Sequence, residues 1–467
     1  MKTRATAAIT LLLITALGAC SDSPYPLGPS AADLAKGGVK GGGGGGGGES
    51  TDVRVDSVDP PYGEQGETLD VVIHGSGFDD TSEATRELDG VPAARIRTNA
   101  TVFRSSSELV ANISIQSDAE LDFYDVAVST QGGRKKGIGI EKFEVTTAIA
   151  LVTIDGNSAA HAVNERGQAA GFSNTTSGMR AVYWHFPTSI VDLGPGHAWD
   201  MDEAGSLIVG MADGRPVYWT GSGQSWTGSH ALPMDEGTIA GRGFAVASDP
   251  ATGVAMAIGG SQAFRLKGQE QRHEPLLWVR GGQGWEAVRL AQPLPDPNAS
   301  SWANDVNSQR QAVGAVDLGR NPRRPVYWDS DGNGRLLSEL GGTAQGISED
   351  GSFLVGDIEF RAVYWTRDAA GSWIPHYLPG NCQRAYAVDA SRRIVATRCG
   401  ENNPRQYSAL FVPGPGGTYT QIPLGGFGDS TNSGQVEGLS RSGSYASGGA
   451  PAQTVTLGAI WALSLLQ

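Results

Sequence analysis

The sequence predicts an all-β chain in two folded parts, a β-sandwich of short strands followed by a ring of repeated four-strand units. Three observations carry this. Glycine supplies 67 of 467 residues, about twice its usual share of roughly 7%, and it punctuates short apolar runs. A strand ending in an aromatic residue returns seven times between residues 180 and 461. Charged residues make up only 18% of the chain, too few for a coiled coil or a charged disordered tail. The length leaves room for one small domain and one large all-β domain. Counting 35 Lys and Arg against 49 Asp and Glu gives a net charge of −14. That argues against nucleic acid as a partner, which needs a basic footprint. Three cysteines exclude a disulfide-dense scaffold and a multi-cysteine zinc protein.

Residues 1–20 read as an export signal. Lys2 and Arg4 precede the uncharged stretch Ala5 to Leu17, centred on Leu11, Leu12, Leu13 and Ile14, the order of a secretory signal. The stretch is shorter than the roughly 20 apolar residues that span a bilayer. It ends Leu17-Gly18-Ala19-Cys20, which resembles a bacterial lipobox. The resemblance implies a lipidated Cys20 at the mature N-terminus and a membrane partner through that lipid, since each buried CH₂ contributes about 0.8 kcal/mol. Ser21 follows the cysteine, and in such lipoproteins the lack of aspartate there implies outer-membrane location, periplasmic or surface-exposed. Residues 21–52 carry an unbroken run from Gly41 to Gly48 and are expected to form a disordered tether.

Residues 53–146 alternate apolar and polar in short runs. Val53 to Val58 meets Pro60-Pro61, and prolines stop a strand. Gly63 and Gly66 turn the chain into Leu69 to His74, closed by Gly75-Ser76-Gly77-Phe78. Glu108 to Ile115, Phe123 to Ser129 and Lys142 to Val145 follow, a spacing typical of a sandwich. Pro60 with Gly63 and Gly66, the Val71 to Phe78 run, and the Tyr124 to Thr130 strand before Gly132 together resemble the IPT/TIG family of immunoglobulin-like domains. The resemblance implies a spacer or binding module without general catalytic residues.

Residues 147–467 repeat. The aromatic strand appears as Arg180 to Trp184, Arg215 to Trp219, Glu274 to Trp278, Arg324 to Trp328 and Arg361 to Trp365. Weaker copies end at Phe411 and Trp461, and the spacings are 35, 59, 50, 37, 46 and 50 residues. Most copies follow a hairpin turn with Asn, Asp or Ser three residues ahead of Gly, as in Asn164 to Gly167. This suits a type I turn closed by a left-handed residue. Two strands round the turn, the aromatic strand, and a fourth such as Ser189 to Leu193 make the arithmetic of a propeller blade. The last unit lacks room for its fourth strand, and Ala148 to Ile154 stands alone to supply it and close the ring. The prediction is a seven-bladed β-propeller. The turn, the glycines at Gly171, Gly210, Gly314 and Gly356, and the Ala-Val-Tyr-Trp strand resemble the bacterial extracellular HAF repeats. That resemblance implies fold and export more than activity. The repeated tryptophans read as wedges between blades.

Cys382 and Cys399 flank the turn at Asp389 to Arg392. Residues facing each other across that turn have numbers that add to 781, and the two cysteines satisfy this. A disulfide is expected, in the oxidising compartment that export implies. HExxH, GxSxG, a Walker loop and CxxC are missing from the sequence, so no catalytic residue is assigned. Asp329, Asp331 and Asn333, within Asp329 to Gly334, match half of a calcium loop, but Leu340 stands where the last ligand belongs. A calcium loop and a plain hairpin loop both stay open, and no other cofactor is expected. His161, Trp199, Trp302, Asn304, Gln345, Tyr386 and Glu437 fall at the starts of the innermost strands, at a mouth suited to ligands. The long Gly260 to His273 insertion is expected to overhang it. The expected function is a non-catalytic, lipid-anchored envelope binding or adhesion protein for a glycan or other envelope component. The alternatives are a structural envelope protein and a propeller-type glycan lyase or hydrolase.

Overall fold

The computed structural model describes residues 52–186, 189–265, 271–296, 298–319, 322–399, 407–427, 434–452 and 455–463. The lipidation expectation at Cys20, the tether up to residue 51, and residues 266–270 of the insertion lie outside them. The described chain is all-β, with a short 3-10 turn at Pro415–Gly417. Among the described residues no helix is long and apolar enough to cross a membrane.

Two sheets come first. One orders its strands Arg54–Asp59, Thr68–Ser76, Glu108–Ile115 and Ile96–Ser105. The other orders Tyr62–Glu64, Lys135–Thr146, Phe123–Thr130, Glu83–Leu88 and Val91–Pro92. Alternation drives this: Leu109, Ala111, Ile113 and Ile115 on one strand and Tyr124, Val126 and Val128 on another are buried in one shared core. The sequence pattern does not mark the strands at Glu83–Leu88, Val91–Pro92 and Ile96–Ser105. The last of these is exposed along most of its length, so it lacks the clean apolar period that reveals a strand.

Seven further sheets follow among the described residues, each antiparallel. Their first strands are Ser158–Val163, His197–Met201, Thr238–Ser248, Ser300–Val306, Gly342–Ile347, Arg384–Val388 and Gln435–Leu439. Each first strand touches the next, and the seventh touches the first, so these strands surround an axis in a closed, propeller-like ring. Only Ala148–Ala150 of the expected closing segment is a strand, and it pairs with Val455–Ala462 in the seventh sheet, Ala148 facing Trp461. Main-chain hydrogen bonds thus latch the start of the ring to its end.

The repeated residues explain the repeat. Trp184, Trp219, Trp278, Trp328, Trp365 and Trp461 are fully buried. The indole of Trp219 donates to Leu193 O in the preceding sheet at 3.0 Å, and that of Trp328 to Ala291 O at 2.8 Å. Trp184 reaches Val152 O at 2.7 Å and Trp461 reaches Gly425 O at 2.6 Å. These are wedges with a polar latch. In the turns, Asn164 Oδ1 accepts from the Arg166 and Gln168 amides at 3.0 and 3.1 Å. Asn307 does the same for Gln309 and Gln311, and its Nδ2 donates to Ser348 O in the next sheet at 3.2 Å. The turn-closing residues Gly167, Gly205, Gly351 and Gly443 all have φ between 62 and 69°, the left-handed region that glycine enters freely.

Cys382 and Cys399 form a disulfide with Cα atoms 3.8 Å apart. The arithmetic that predicts it holds through two offsets that cancel. The turn closes at Arg393, since the Asp389 amide donates to Arg393 O. Facing numbers there add to 782, as for Val388 and Ile394. A bulge at Tyr386 then removes one residue, so Ala385 faces Ala396 and the total returns to 781.

Candidate functional site

That bulge is not peculiar to the sixth sheet. The pairing of first and second strands slips by one residue at Ala160/Ala162, Ala198/Asp200, Gly243/Ala245, Ala303/Asp305, Ala344/Gly346, Ala385/Ala387 and Val436/Gly438. Each slip leaves one residue out of the ladder: His161, Trp199, Phe244, Asn304, Gln345, Tyr386 and Glu437. A bulge re-aims a side chain out of the regular ladder. In six of the seven sheets a glycine stands on the facing strand beside it, and in the sixth the residue there is Ala396. A Cβ on Gly171, Gly210, Gly314 or Gly356 would lie 1.9–2.1 Å from a first-strand carbonyl oxygen, closer than any real contact.

Six of the seven sequence candidates are therefore bulge residues. Trp302 is not. It lies two residues before the bulge, paired with Ala315, and it packs under the Arg323 guanidinium at 4.8 Å and against His273. The missed member is Phe244. Its sheet has Asp249 to Gly253 in place of the usual turn, which hides the repeat, although Gly260 carries the same facing-strand signature. The long insertion is absorbed into this third sheet as a hairpin. Its strands Ala255–Arg265 and Gln271–Gly281 run eleven residues each, and Arg265 pairs with Gln271.

Neighbouring bulge residues meet. His161 Nδ1 hydrogen-bonds Glu437 Oε2 across the closing seam. His161 Nε2 lies 2.7 Å from His197 Nε2. Trp199 stacks on His197 with centroids 3.8 Å apart, sits 4.9 Å from His161, and meets Phe244 edge-on at 5.7 Å. Phe172 closes this aromatic cluster at 5.0 Å from His197. Burial, followed by His161 and Arg242, pushes His197 well below its usual value near 6.5, so it is held neutral. On the far side, Gln435 Nε2 donates to Tyr386 Oη at 2.9 Å, and burial pushes that phenol up to about 12. Asn304 Nδ2 is committed to Ala344 O at 3.0 Å. Gln345 is buried in the fifth sheet.

Just after two of the bulges stand Asp200 and Asp305. Each carboxylate accepts from the following sheet, Asp200 from the Val246 amide at 2.6 Å and Asp305 from the Ile347 amide at 2.8 Å. Burial raises both, Asp305 to about 7. Both residues keep partial solvent accessibility.

The Asp329 loop is a self-contained hairpin. Asp329 Oδ1 accepts from the Asp331 and Asn333 amides at 3.1 and 2.9 Å, and Asn333 Nδ2 donates to both carboxylate oxygens. Asp368 builds the same loop in the next sheet, accepting from Ala370 and Ser372. Among the described residues no group of three or more His, Cys, Asp and Glu side chains is arranged to hold a metal.

No family model and no curated protein sequence matches the chain. Among solved structures it is similar to virginiamycin B lyase from Staphylococcus aureus, with 11% identity, 67% of this chain and 98% of that chain covered, and a TM-score of 0.39. AztD from Citrobacter koseri aligns at 15% identity over 80% of this chain and 94% of that one, with a TM-score of 0.33. A quinoprotein alcohol dehydrogenase-like protein from Bacteroides thetaiotaomicron aligns at 9% identity over 79% and 96%, with a TM-score of 0.26. At such values these proteins say nothing about the chemistry of this chain.

Proposed function

We propose that this chain is a lipid-anchored binding protein of the bacterial cell envelope, held at the outer membrane through Cys20. In this reading residues 53–146 are an IPT/TIG-like sandwich that serves as a stalk. Residues 147–467 are a seven-bladed propeller of HAF-like repeats that serves as the recognition head. The ligand is a glycan or another envelope component. The observation that carries it is the ring of bulge residues. Seven sheets each release one side chain from the ladder, and the seven differ in chemistry: two amides, two acid–base groups and three aromatic rings. Variation at equivalent positions within a repeat is what a recognition surface needs, a few polar groups set among aromatic ones.

The test is a glycan and cell-wall-fragment array probed with the full chain carrying Cys20→Ser, which removes the anchor. Saturable binding abolished by Tyr386→Ala supports the reading. Absence of binding overturns it in favour of a structural envelope protein. The His161–Glu437 hydrogen bond favours a second reading, a propeller-type glycan lyase or hydrolase with His161 as base. Fragment cleavage lost in His161→Gln would establish that one instead.

A further inference from the structure

Among the described residues, one bulge residue holds a buried donor without an acceptor. The Trp199 indole N–H is shielded from solvent and has no acceptor among the described residues, although Trp199 stands among the bulge residues between His161 and Phe244. A buried donor left unpaired is costly unless a ligand or water supplies the acceptor. Five wedge tryptophans avoid that cost: Trp184, Trp219, Trp278, Trp328 and Trp461 all donate to backbone oxygens. Trp365 lacks an acceptor too, but its side chain is wholly enclosed, whereas Trp199 keeps part of its surface open at the ring.

Beside Trp199, the two imidazoles and Glu437 fix a proton count. With both rings neutral, His161 carries its proton on Nδ1, toward Glu437. His197 then carries its own on Nε2, toward His161. One further proton fits, on His161 Nε2, if His197 moves its proton to Nδ1 and accepts through Nε2. A second does not, because two N–H groups would then face each other across 2.7 Å. The charged and titratable groups around the pair are Glu437 on one side and Arg242 on the other, with Tyr386 beyond Glu437. Phe172 and Trp199 supply the apolar walls. Unloaded, the Glu437 carboxylate repels an incoming anion. Loaded with one proton, the His161–Glu437 pair is neutral as a unit, and the site is left with the Trp199 donor and the positive field of Arg242.

We propose that the ring binds an oxyanion, the carboxylate or phosphate of an acidic saccharide, as acceptor for the Trp199 indole N–H, and that binding loads one proton onto the His161–His197 pair. This rests on the recognition-head reading and narrows its ligand.

The test is calorimetric titration of the full chain carrying Cys20→Ser with glucuronate, inorganic phosphate and glucose. It is run near pH 6 and pH 8, in two buffers of different ionisation heat. The expected result is binding of glucuronate or phosphate but not glucose, with uptake approaching one proton at pH 8 and less at pH 6, and binding roughly ten- to a hundredfold weaker at the higher pH. Whichever anion binds names the source of the oxyanion. Trp199→Phe keeps an aromatic ring and removes the donor, and should weaken binding about tenfold or more. Glu437→Gln removes the repulsion, so binding at pH 8 should match that of the Cys20→Ser chain at pH 6. Circular dichroism checks that both variants fold. Equal binding of glucose, zero proton uptake, or no binding of either anion overturns the proposal. So does a folded Trp199→Phe that binds normally. If neutral wall fragments bind on the array while both anions fail here, the recognition head stands and only this inference falls. If the array is also blank, both fall.

Discussion

Replacing Asp305 with Asn should change how stability depends on pH more than it changes stability itself. Asp305 clamps the fourth sheet to the fifth through the Ile347 amide and also accepts from the Val306 amide at 2.8 Å. Those bonds favour the charged carboxylate, but burial outweighs them and Glu349 adds repulsion, so the group titrates at about 7 instead of 3.8. The folded state therefore holds a proton that the unfolded chain has lost. Where the folded state binds more protons, stability falls as pH rises. The fall begins near the unfolded value of 3.8 and ends once pH has passed about 7. At about 1.4 kcal/mol per pH unit that interval gives about 4 kcal/mol as the upper bound, and the partial exposure of Asp305 lowers it to roughly 2–3 kcal/mol. An amide keeps an acceptor for the Ile347 N–H and cannot titrate. Guanidinium unfolding of both proteins near pH 4.5 and pH 8 measures the effect. Between those values the balance should move toward Asp305→Asn by most of that amount. Parallel pH profiles would refute a proton held at this clamp.

Three further outcomes follow from the same geometry. Removing the bond between Cys382 and Cys399, 17 residues apart, should cost about 3 kcal/mol by loop-closure entropy, read as a lower guanidinium midpoint for the Cys382→Ala/Cys399→Ala pair. Gly314→Ala puts a Cβ 2.0 Å from Trp302 O and should cost about 1–3 kcal/mol, seen as a drop in Tm. Trp219→Phe loses an indole bond to Leu193 O, whereas Trp365 Nε1 is buried without an acceptor among the described residues. Thermal unfolding should therefore show Trp219→Phe costing about 1 kcal/mol more than Trp365→Phe.

Much of this arrangement is legible because packing writes itself into repeats. Each wedge must fill a large gap, and most latch through a donor, so tryptophan recurs wherever the aromatic strand ends except at Phe411. Each turn needs a left-handed residue, so glycine recurs, although Arg310 and Arg392 occupy the same conformation at φ 62 and 64°. The bulge itself leaves no direct mark. Its trace is the facing glycine, which reads in isolation as a strand end rather than as a position where a side chain would strike a carbonyl. Trp302 joins the expected ring for want of that register. The His161–His197 contact is also hidden, because His197 is paired with Met211 in the regular ladder and shares no periodic signal with the bulge positions.

The bulge explains how one ring carries two kinds of sequence. Positions inside the ladder are constrained twice, by a partner across the strand and by the neighbouring sheet, so Ala, Val, Gly and Trp return in most units. The bulge residue has no cross-strand partner in the ladder and is free of that constraint. His161, Trp199, Phe244, Asn304, Gln345, Tyr386 and Glu437 share neither size, charge nor polarity, yet the pairing slips at the same step in every sheet of the ring. A device needed only for closure would settle on one small residue. A sevenfold backbone feature that presents seven different side chains is what the proposed recognition head would need for an asymmetric ligand. Its acid–base members, His161 and Glu437, lie in the first and seventh sheets, where the chain closes on itself, and His197 from the ladder of the second sheet joins them.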